Sequence, residues 1–208
     1  MSGSSQECVV ADKNVSRETL SRLSDFAKLV VKWNATINLI SKATVDQIWS
    51  RHILDSVQVF DYGLQARRWV DLGSGGGFPG LVVAILAKER APEMQVILVE
   101  SDQRKAAFLR QASQSLGLDA QVVCDRIELV HPLDADAVSA RALAPLPQLL
   151  AFAVRHLAKG GVAIVQKGQN HRAELTDARR DWQFRCDTHQ SSTDPSAAVL
   201  VIKEIAHG

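Results

Sequence analysis

The sequence predicts an α/β fold: a doubly wound, mostly parallel sheet that ends in a β-hairpin and is preceded by a helical appendage. Three observations favour it. An apolar run at residues 69–72 leads through a glycine-rich turn into an apolar helix at 80–88. Strand-like and helix-like segments then alternate along the chain. The chain closes with two runs of alternating polar and apolar residues joined by a polar turn, which is typical of a hairpin.

Length and composition indicate one globular unit with an appendage. The chain has 208 residues, of which 46% are hydrophobic, and 24 basic residues stand against 23 acidic ones. This balance excludes a global basic field that binds nucleic acid indiscriminately, so any nucleic-acid contact must come from a local patch. We expect no DNA partner. No apolar run reaches the roughly 18 residues of a membrane span, and the polar start lacks a signal-peptide core. We interpret residues 1–15 as a disordered tail.

The cysteines predict a reducing compartment. Cys8, Cys124 and Cys186 are odd in number and widely spaced, which favours neither a disulfide framework nor a metal site. We therefore expect a cytoplasmic protein that binds no metal, and we expect it to be a monomer.

The N-terminal appendage, residues 16–66, is predicted to consist of two helices. Ser16 has the side chain of an N-cap, and apolar residues recur at helical spacing over 17–33. After a loop at 34–42, Thr44 and Gln47 have the spacing of a capping box for a second helix that runs to about residue 60.

Two polar residues interrupt the apolar stripe of that second helix. His52 and Asp55 lie on the same face as Ile48 and Val59. Either they form a hydrogen-bonded pair where the helix packs on the main domain, or they form a wall of the active site. The sequence leaves both interpretations open.

The glycine-rich turn between the first strand and its helix is the strongest functional signal. Four of the five residues at 73–77 are glycine, which lets a ligand approach backbone N–H groups closely. A tight structural turn seldom needs so many glycines, so a site for a nucleoside-like cofactor is favoured. Pro79 suits the first turn of the helix that follows.

The spacing of the turn fits two different cofactors. Gly75 to Gly80 matches the dinucleotide pattern G-x-G-x-x-G, and Glu100 follows twenty positions after Gly80, where a ribose-binding acid is expected. Asp71, Gly73, Gly75 and Gly77 equally match the first motif of class I methyltransferases that use S-adenosylmethionine.

The main domain, residues 67–208, supplies the remaining elements of the sheet. We predict strands at 95–100, 120–124, 136–141, 162–166, 182–188 and 197–205, helices at 103–116, 146–158 and 172–180, and one helical turn at 126–130. The terminal hairpin and the lack of a second catalytic domain disfavour a dehydrogenase.

Polar residues at the carboxyl ends of the strands are the candidate site residues, because ligands of open α/β sheets bind at that edge. They are Asp71, Glu100, Asp125, Glu128, Arg141 and Lys167. Glu100 has the chemistry to accept hydrogen bonds from ribose hydroxyls. Arg141 and Lys167 are the two cations at strand ends, and we expect Arg141 to be exposed there.

Several stretches together resemble the family of ribosomal RNA small subunit methyltransferase G, also called glucose-inhibited division protein B. The likeness runs from about Trp33 to the C-terminus. It rests on the glycine turn and on the segments 33–34, 38–41, 51–56, 105–110, 126–128, 139–142 and 167–169. The turn is shared by many methyltransferases, whereas the turn combined with Arg51-His-Ile-Leu-Asp-Ser56 is far more specific.

The resemblance implies a Rossmann-like class I methyltransferase that uses S-adenosyl-L-methionine. It implies methyl transfer to N7 of the guanine usually numbered 527 in bacterial 16S rRNA, either as naked rRNA or within the small ribosomal subunit. It also implies cofactor contacts at Gly73, Phe78, Ile127, Glu128 and Arg141. The chain departs mildly from the family at Glu100, where the family often has aspartate.

Chemistry agrees with this implication. The chain lacks the Asn/Asp-Pro-Pro-aromatic motif of methyltransferases that act on exocyclic amines, and no cysteine has the setting of a nucleophile for pyrimidines. Guanine N7 carries a lone pair and no proton, so its methylation requires positioning and electrostatics rather than a general base. Arg141 or Lys167 is expected to hold O6 or a phosphate.

Three alternatives stay open at the level of sequence. One is a nicotinamide-dependent oxidoreductase that uses Gly75 to Gly80 and Glu100. A second is a regulator that binds S-adenosylmethionine, or an RNA chaperone, without catalysis. A third is a methyltransferase that acts on another RNA or on a protein.

Overall fold

The computed structural model describes residues 15–208. Residues 1–14, which make up nearly all of the predicted tail, lie outside this range. No helix within the described range is long and apolar enough to cross a membrane.

Six α-helices and seven strands make up the described chain. The helices are α1 (Arg17–Asn34), α2 (Asp55–Phe60), α3 (Gly80–Arg90), α4 (Gln103–Ser115), α5 (Leu146–His156) and α6 (His171–Ala178). The strands are β1 (Arg68–Leu72), β2 (Gln95–Val99), β3 (Gln121–Val123), β4 (Ala135–Arg141), β5 (Leu157–Lys167), β6 (Trp182–Gln190) and β7 (Ala198–His207). Residues 126–130 form the predicted helical turn, closed by a hydrogen bond from Val130 N to Arg126 O.

The strands form one sheet in the order β3-β2-β1-β4-β5-β7-β6. The first five are parallel, and β7 pairs antiparallel with both β5 and β6. The predicted doubly wound sheet with a terminal hairpin is thus confirmed. Because the chain moves outward from β1 to β2 on one side and to β4 on the other, a crevice opens above the carboxyl ends of β1 and β4.

The first helix is capped as predicted. Ser16 Oγ accepts a hydrogen bond from Thr19 N at 3.2 Å. Ser16 N in turn donates to both carboxylate oxygens of Glu89, each at 3.0 Å. The start of α1 is therefore fastened to the end of α3.

The predicted second helix at 44–60 is wrong in its first two thirds. A 3₁₀ helix (Lys42–Gln47) is followed by a π-helical segment (Trp49–Leu54), and only α2 is regular. The capping box does not form, because the Thr44 hydroxyl donates to Ser41 O and lies 2.8 Å from a ring nitrogen of His52. Contacts with Ser41 and with His52, eight residues on, thus take the side chain that was assigned to a cap. π-Helical segments often occur at functional sites.

The boundary between α5 and β5 also differs from the prediction. The helix was expected to reach residue 158 and the strand to begin at 162, but α5 ends at His156 and β5 begins at Leu157. Leu157 already pairs with Ala135 of β4, and the register shifts between Ala135 and Ala137. The glycines at 160 and 161 therefore lie inside a strand, at an irregularity in its pairing, instead of ending the helix.

Apolar side chains form a core on each face of the sheet. On one face, α1, α2 and α3 pack with Trp69 and the β2 side chains. On the other, α5 packs with Val70, Leu72 and the inner face of the hairpin. The α3 residues Gly80 to Ala87 are all buried, as their continuous apolar sequence predicts. The N-terminal segment therefore shares a core with the sheet.

Candidate active site

A cavity of about 990 Å³ opens above the carboxyl ends of β1, β2 and β4. We call it the glycine cavity, because the loop between β1 and α3 forms its floor. Its walls come from the end of β2, from the turn at 126–128 and from the segment after β4. The residues implied by resemblance as cofactor contacts all line it: Gly73, Phe78, Ile127, Glu128 and Arg141.

The glycines of the loop have two different roles. Gly75 lines the cavity with φ +52°, and a Cβ added there would meet only Gly73 O, at 3.7 Å. Gly77 has φ +85°, and its Cβ would lie 2.7 Å from Leu81 Cδ1 and 3.0 Å from Phe26 Cζ. Gly77 is also absent from the residues that line the cavity. Packing against α1 and α3 thus gives a structural reason for glycine at position 77, and the cofactor contact expected there stays a prediction.

Glu100 lies at the end of β2 and lines the glycine cavity. Its Oε2 accepts from Gly75 N and its Oε1 from Asp102 N, both at 2.8 Å. The carboxylate thereby holds the glycine loop against the second strand. Each oxygen can accept a further hydrogen bond that no described donor supplies. Glu100 can therefore still accept from ribose hydroxyls, as expected from sequence.

Asp71 lies beneath the loop and does not reach the cavity. It is fully buried, with Oδ1 accepting from Ser139 Oγ at 2.6 Å and Oδ2 accepting from Gly80 N at 3.2 Å. Burial raises the pKa of Asp71 to about 6, although these hydrogen bonds act in the opposite direction. The expected direct contact with a cofactor is therefore corrected to an indirect role, in which Asp71 ties β1 to β4 and to the start of α3.

Arg141 is the last residue of β4 and borders two cavities. Its guanidinium donates to Arg51 O at 3.2 Å and to His52 Nδ1 at 2.8 Å. It also pairs with Asp55 at 3.6 Å, and Cζ lies 5.1 Å from the centre of the Phe78 ring. Only 18% of its side chain is exposed, so the expectation of an exposed strand-end charge is wrong. Tertiary partners from the N-terminal segment cover it.

His52 is held in one tautomer by this arginine. Because a guanidinium only donates, Nδ1 must accept, and Nε2–H is left to donate to Thr44 Oγ1 at 2.8 Å. Burial, followed by the charges of Arg141 and Arg51, lowers the pKa of His52 to about 3. His52 is therefore a neutral residue that orients Arg141.

Asp55 joins three parts of the chain. Its Oδ1 accepts from Gln58 of its own helix and from Ser191 and Thr193 of the β6–β7 turn. Its Oδ2 accepts from Gln166 Nε2 of β5 at 2.6 Å and faces Arg141. His52 and Asp55 bond to other residues and not to each other, so the predicted hydrogen-bonded pair is wrong. Both residues line the second cavity, and a role as a wall of the active site stays a prediction.

The second cavity, of about 830 Å³, lies beside the first. We call it the polar cavity. The two share a wall formed by Leu39 and residues 141–145. The rest of the polar cavity is lined mainly by hydrophilic side chains from the N-terminal segment, from the end of β5, from α6 and from the hairpin turn. Arg141 stands where the two cavities meet.

Lys167 lines the polar cavity and not the glycine cavity. Its Nζ donates to Ala144 O and to Glu174 Oε2, both at 2.6 Å, and only 9% of its side chain is exposed. Most of its hydrogen-bonding capacity is therefore used within the protein. It shares a cavity with Arg141 as predicted, but its position favours holding Glu174 over reaching a phosphate.

Sequence reasoning missed three residues of the site. Glu174, Gln166 and Asp194 all line the polar cavity, and Asp194 pairs with Arg51 at 2.9 Å. Gln166 directly precedes Lys167 and could have been found from that neighbour. The other two lie in polar segments without local signal, and only the fold brings them to the cavity. Within the described residues, no cluster of three His, Cys, Asp or Glu could hold a metal ion.

The chain matches a known family over most of its length. The family model described as GidB, rRNA small subunit methyltransferase G, matches residues 19–198. Proteins named ribosomal RNA small subunit methyltransferase G are similar to it. The one from Cereibacter sphaeroides is 52% identical over 203 residues, covering 97% of this chain and 98% of its own. The one from Ruegeria pomeroyi is 56% identical over 189 residues, covering 91% and 93%.

Solved structures share the fold at low sequence identity. The cofactor-bound protein Rv0187 from MTB is 18% identical with a TM-score of 0.59, and the match covers 88% of each chain. An O-methyltransferase from Bacillus cereus in complex with SAH is 15% identical with a TM-score of 0.56, covering 86% of this chain and 91% of its own. The sheet thus has the class I methyltransferase architecture, and the match over residues 19–198 places this chain in the GidB, or rRNA small subunit methyltransferase G, family.

Proposed function

We propose that this protein transfers a methyl group from S-adenosylmethionine to N7 of a guanine in 16S rRNA. The observation that carries the proposal is the meeting of two cavities at Arg141. One is floored by glycines and closed by an acid at the end of β2, which suits a nucleoside cofactor. The other presents charged and amide side chains and is large enough for a base. The names of the relatives in this family support rRNA as the substrate.

The glycine cavity fits S-adenosylmethionine by its own chemistry. A side chain at Gly75 would project into the cavity, so the bare backbone there leaves room for a ligand. Glu100 would accept from the ribose hydroxyls, and the turn at Ile127 and Glu128 would border the adenine. Phe78 and Arg141 would border the methionine part, where the guanidinium can pair with a carboxylate.

The reaction needs no base. When bound, S-adenosylmethionine supplies a sulfonium methyl group, to which N7 donates its lone pair while the carbon–sulfur bond breaks and its electrons pass to sulfur. The chain's task is to orient the base and to stabilise charge. Arg141 retains Nε–H and one Nη2–H that no described acceptor takes, so it can donate to guanine O6. Donation to O6 alone leaves N7 free.

The N-terminal segment, residues 16–66, completes the polar cavity in this proposal. Arg51, His52 and Asp55 form one of its walls, so the segment belongs to the catalytic unit although it precedes the methyltransferase domain at 67–208. We also propose that the enzyme is a monomer. Assembly of the small subunit supplies the substrate, so we propose a cytoplasmic enzyme.

Mapping of the product tests the proposal. Purified full-length protein is incubated with methyl-labelled cofactor and with 16S rRNA, either naked or within the small subunit. Borohydride and aniline then cleave the RNA at N7-methylguanosine. We expect one labelled guanine, and no label when that guanine is replaced by adenine. Binding of NAD without binding of S-adenosylmethionine, or methyl transfer to another atom, would contradict the proposal.

A further inference from the structure

Glu174 of α6 presents one unoccupied carboxylate oxygen at the polar cavity. Its Oε2 accepts from Lys167 Nζ at 2.6 Å and from Leu146 N at 2.8 Å. Its Oε1 has no hydrogen-bond partner within residues 15–208, and 27% of the side chain is exposed, on a residue that lines the cavity. One donor lies at the end of β5 and the other at the start of α5. Because both hold Oε2, the orientation of Oε1 is fixed before a ligand binds.

An ionised carboxylate only accepts hydrogen bonds. Oε1 therefore selects a ligand group with N–H or O–H donors. Arg141 supplies donors to the same cavity, so the cavity offers donors on the β4 side and an acceptor on the α6 side. A base bound in this cavity must present an acceptor to Arg141 and donors to Glu174.

Guanine carries these groups on adjacent atoms. O6 is an acceptor, and N1–H and the N2 amine are donors along the Watson–Crick edge. Adenine has an acceptor at N1, which would face Oε1 with two lone pairs opposed. Contact along this edge also leaves N7 unobstructed on the other side of O6.

We infer that Glu174 reads the target guanine by accepting from N1–H and the N2 amine, with Lys167 and the Leu146 amide as its positioning groups. This inference rests on the proposed methylation of guanine N7 and adds the group that selects the base. It assigns Lys167 an indirect role through Glu174.

The same contact assists the reaction. Methylation at N7 makes the purine ring cationic, so N1–H becomes a stronger donor as the transition state is approached. Its hydrogen bond to an anionic oxygen then strengthens, which favours the transition state over the bound substrate. We therefore expect the loss of Glu174 to lower kcat as well as kcat/KM.

Glu174→Gln is the informative variant. Lys167 and the Leu146 amide both donate, so the new amide must turn its oxygen to them and its NH₂ group to the cavity. The NH₂ group would then oppose guanine N1–H but could donate to a base with an acceptor at N1. The matched control is Asp177→Asn, which neutralises an exposed acid of the same helix whose partner is Arg180.

The experiment compares small-subunit RNA carrying guanosine, inosine or 2-aminopurine at the target position. Inosine lacks the N2 amine, and 2-aminopurine has an acceptor at N1. For the wild type, we expect kcat/KM to fall about tenfold or more on each analogue. For Glu174→Gln, we expect a loss of about tenfold or more on guanosine and a guanosine to 2-aminopurine ratio at least about tenfold smaller than in the wild type.

Other measurements separate the possible failures. Calorimetric binding of S-adenosylhomocysteine should be unchanged in both variants, because Glu174 does not line the glycine cavity. Wild-type kinetics in Glu174→Gln, or equal wild-type rates on guanosine and inosine, would overturn the inference while the proposed function stands. Absence of methyl transfer by the wild type would instead refute the proposed function. If Glu174→Gln fails to bind S-adenosylhomocysteine, the wild-type rates on guanosine and inosine decide whether the inference stands.

Discussion

Arg141 Nη2 donates a hydrogen bond to His52 Nδ1 at 2.8 Å, across 89 positions of sequence. This contact makes Nδ1 an acceptor and leaves Nε2–H to Thr44. Burial lowers the pKa of His52 to about 3, and the neighbouring guanidinium adds to this because it disfavours a positive charge on the ring. His52 therefore does not change its charge near neutral pH.

The neutral state of His52 predicts a pH-independent chemical step. No side chain must lose a proton before N7 attacks, so single-turnover methyl transfer should be nearly flat from about pH 6 to 9. His52→Ala should lower the rate, because Arg141 loses an acceptor, without changing the shape of the profile. A rate that rises about tenfold per pH unit near neutrality, and loses that slope in His52→Ala, would show that the histidine acts as a base.

Replacement of Arg141 should affect both activity and stability. Arg141→Ala should lower methyl transfer at least about tenfold, equivalent to about 1.4 kcal/mol of transition-state interaction. It should also lower the free energy of unfolding by about 1 to 3 kcal/mol, because the part-buried acceptors His52 Nδ1 and Asp55 lose their donor.

Labelled methyl transfer and denaturant unfolding measure the two effects of Arg141→Ala. Arg185→Ala, which removes an exposed arginine paired with Glu204, is the matched control and should change neither. Arg141→Lys retains a charge but lacks the planar fork, so it should recover little activity. Unchanged stability in Arg141→Ala would contradict the buried network, and unchanged turnover would remove Arg141 from catalysis.

The glycines at 75 and 77 should respond differently to the same substitution. Both have positive φ, so valine strains the backbone at either position. Gly75→Val places its side chain toward the glycine cavity and should abolish binding of S-adenosylhomocysteine with modest loss of stability. Gly77→Val drives its side chain against Leu81 and Phe26 and should destabilise the fold by about 1 to 3 kcal/mol or more. Calorimetry beside thermal melting separates the two, and identical behaviour of the variants would refute this division.

Asp71 should make stability depend on pH. Its folded pKa of about 6 lies above the ordinary value of 3.8, so folding favours the protonated form. The stabilisation by the protonated carboxyl is complete below about pH 4 and is lost as the pH rises through about 6. Between these two pH values, the free energy of unfolding falls by about 1.4 kcal/mol per pH unit.

The variant Asp71→Asn cannot titrate at this position and provides the comparison. The stability of the wild type relative to Asp71→Asn should therefore decline from pH 4 to pH 7. Urea unfolding at several pH values measures the difference. A difference that stays constant, or grows with pH, would show that Asp71 is ionised more easily than its burial implies.

Much of the fold could be predicted from sequence because its signals are local. The glycine turn, the acid at the end of β2 and the terminal hairpin each follow from residues within one or two elements. The motif Arg51-His-Ile-Leu-Asp-Ser56 likewise indicated the family, but it left open whether His52 and Asp55 line the active site.

Only the tertiary structure decided how the polar side chains are used. Local pattern assigned Thr44 to a cap, whereas it bonds to His52 eight residues on. It assigned Asp71 to the cofactor and Arg141 to an exposed strand end, whereas both are taken by partners from distant segments. Glu174 reaches the polar cavity because it bonds to the start of α5 and to the end of β5, which no local periodicity predicts. Periodicity determines which side chains are buried in the sheet and helices, but the pairing of buried polar groups depends on which distant donors and acceptors the completed fold brings together.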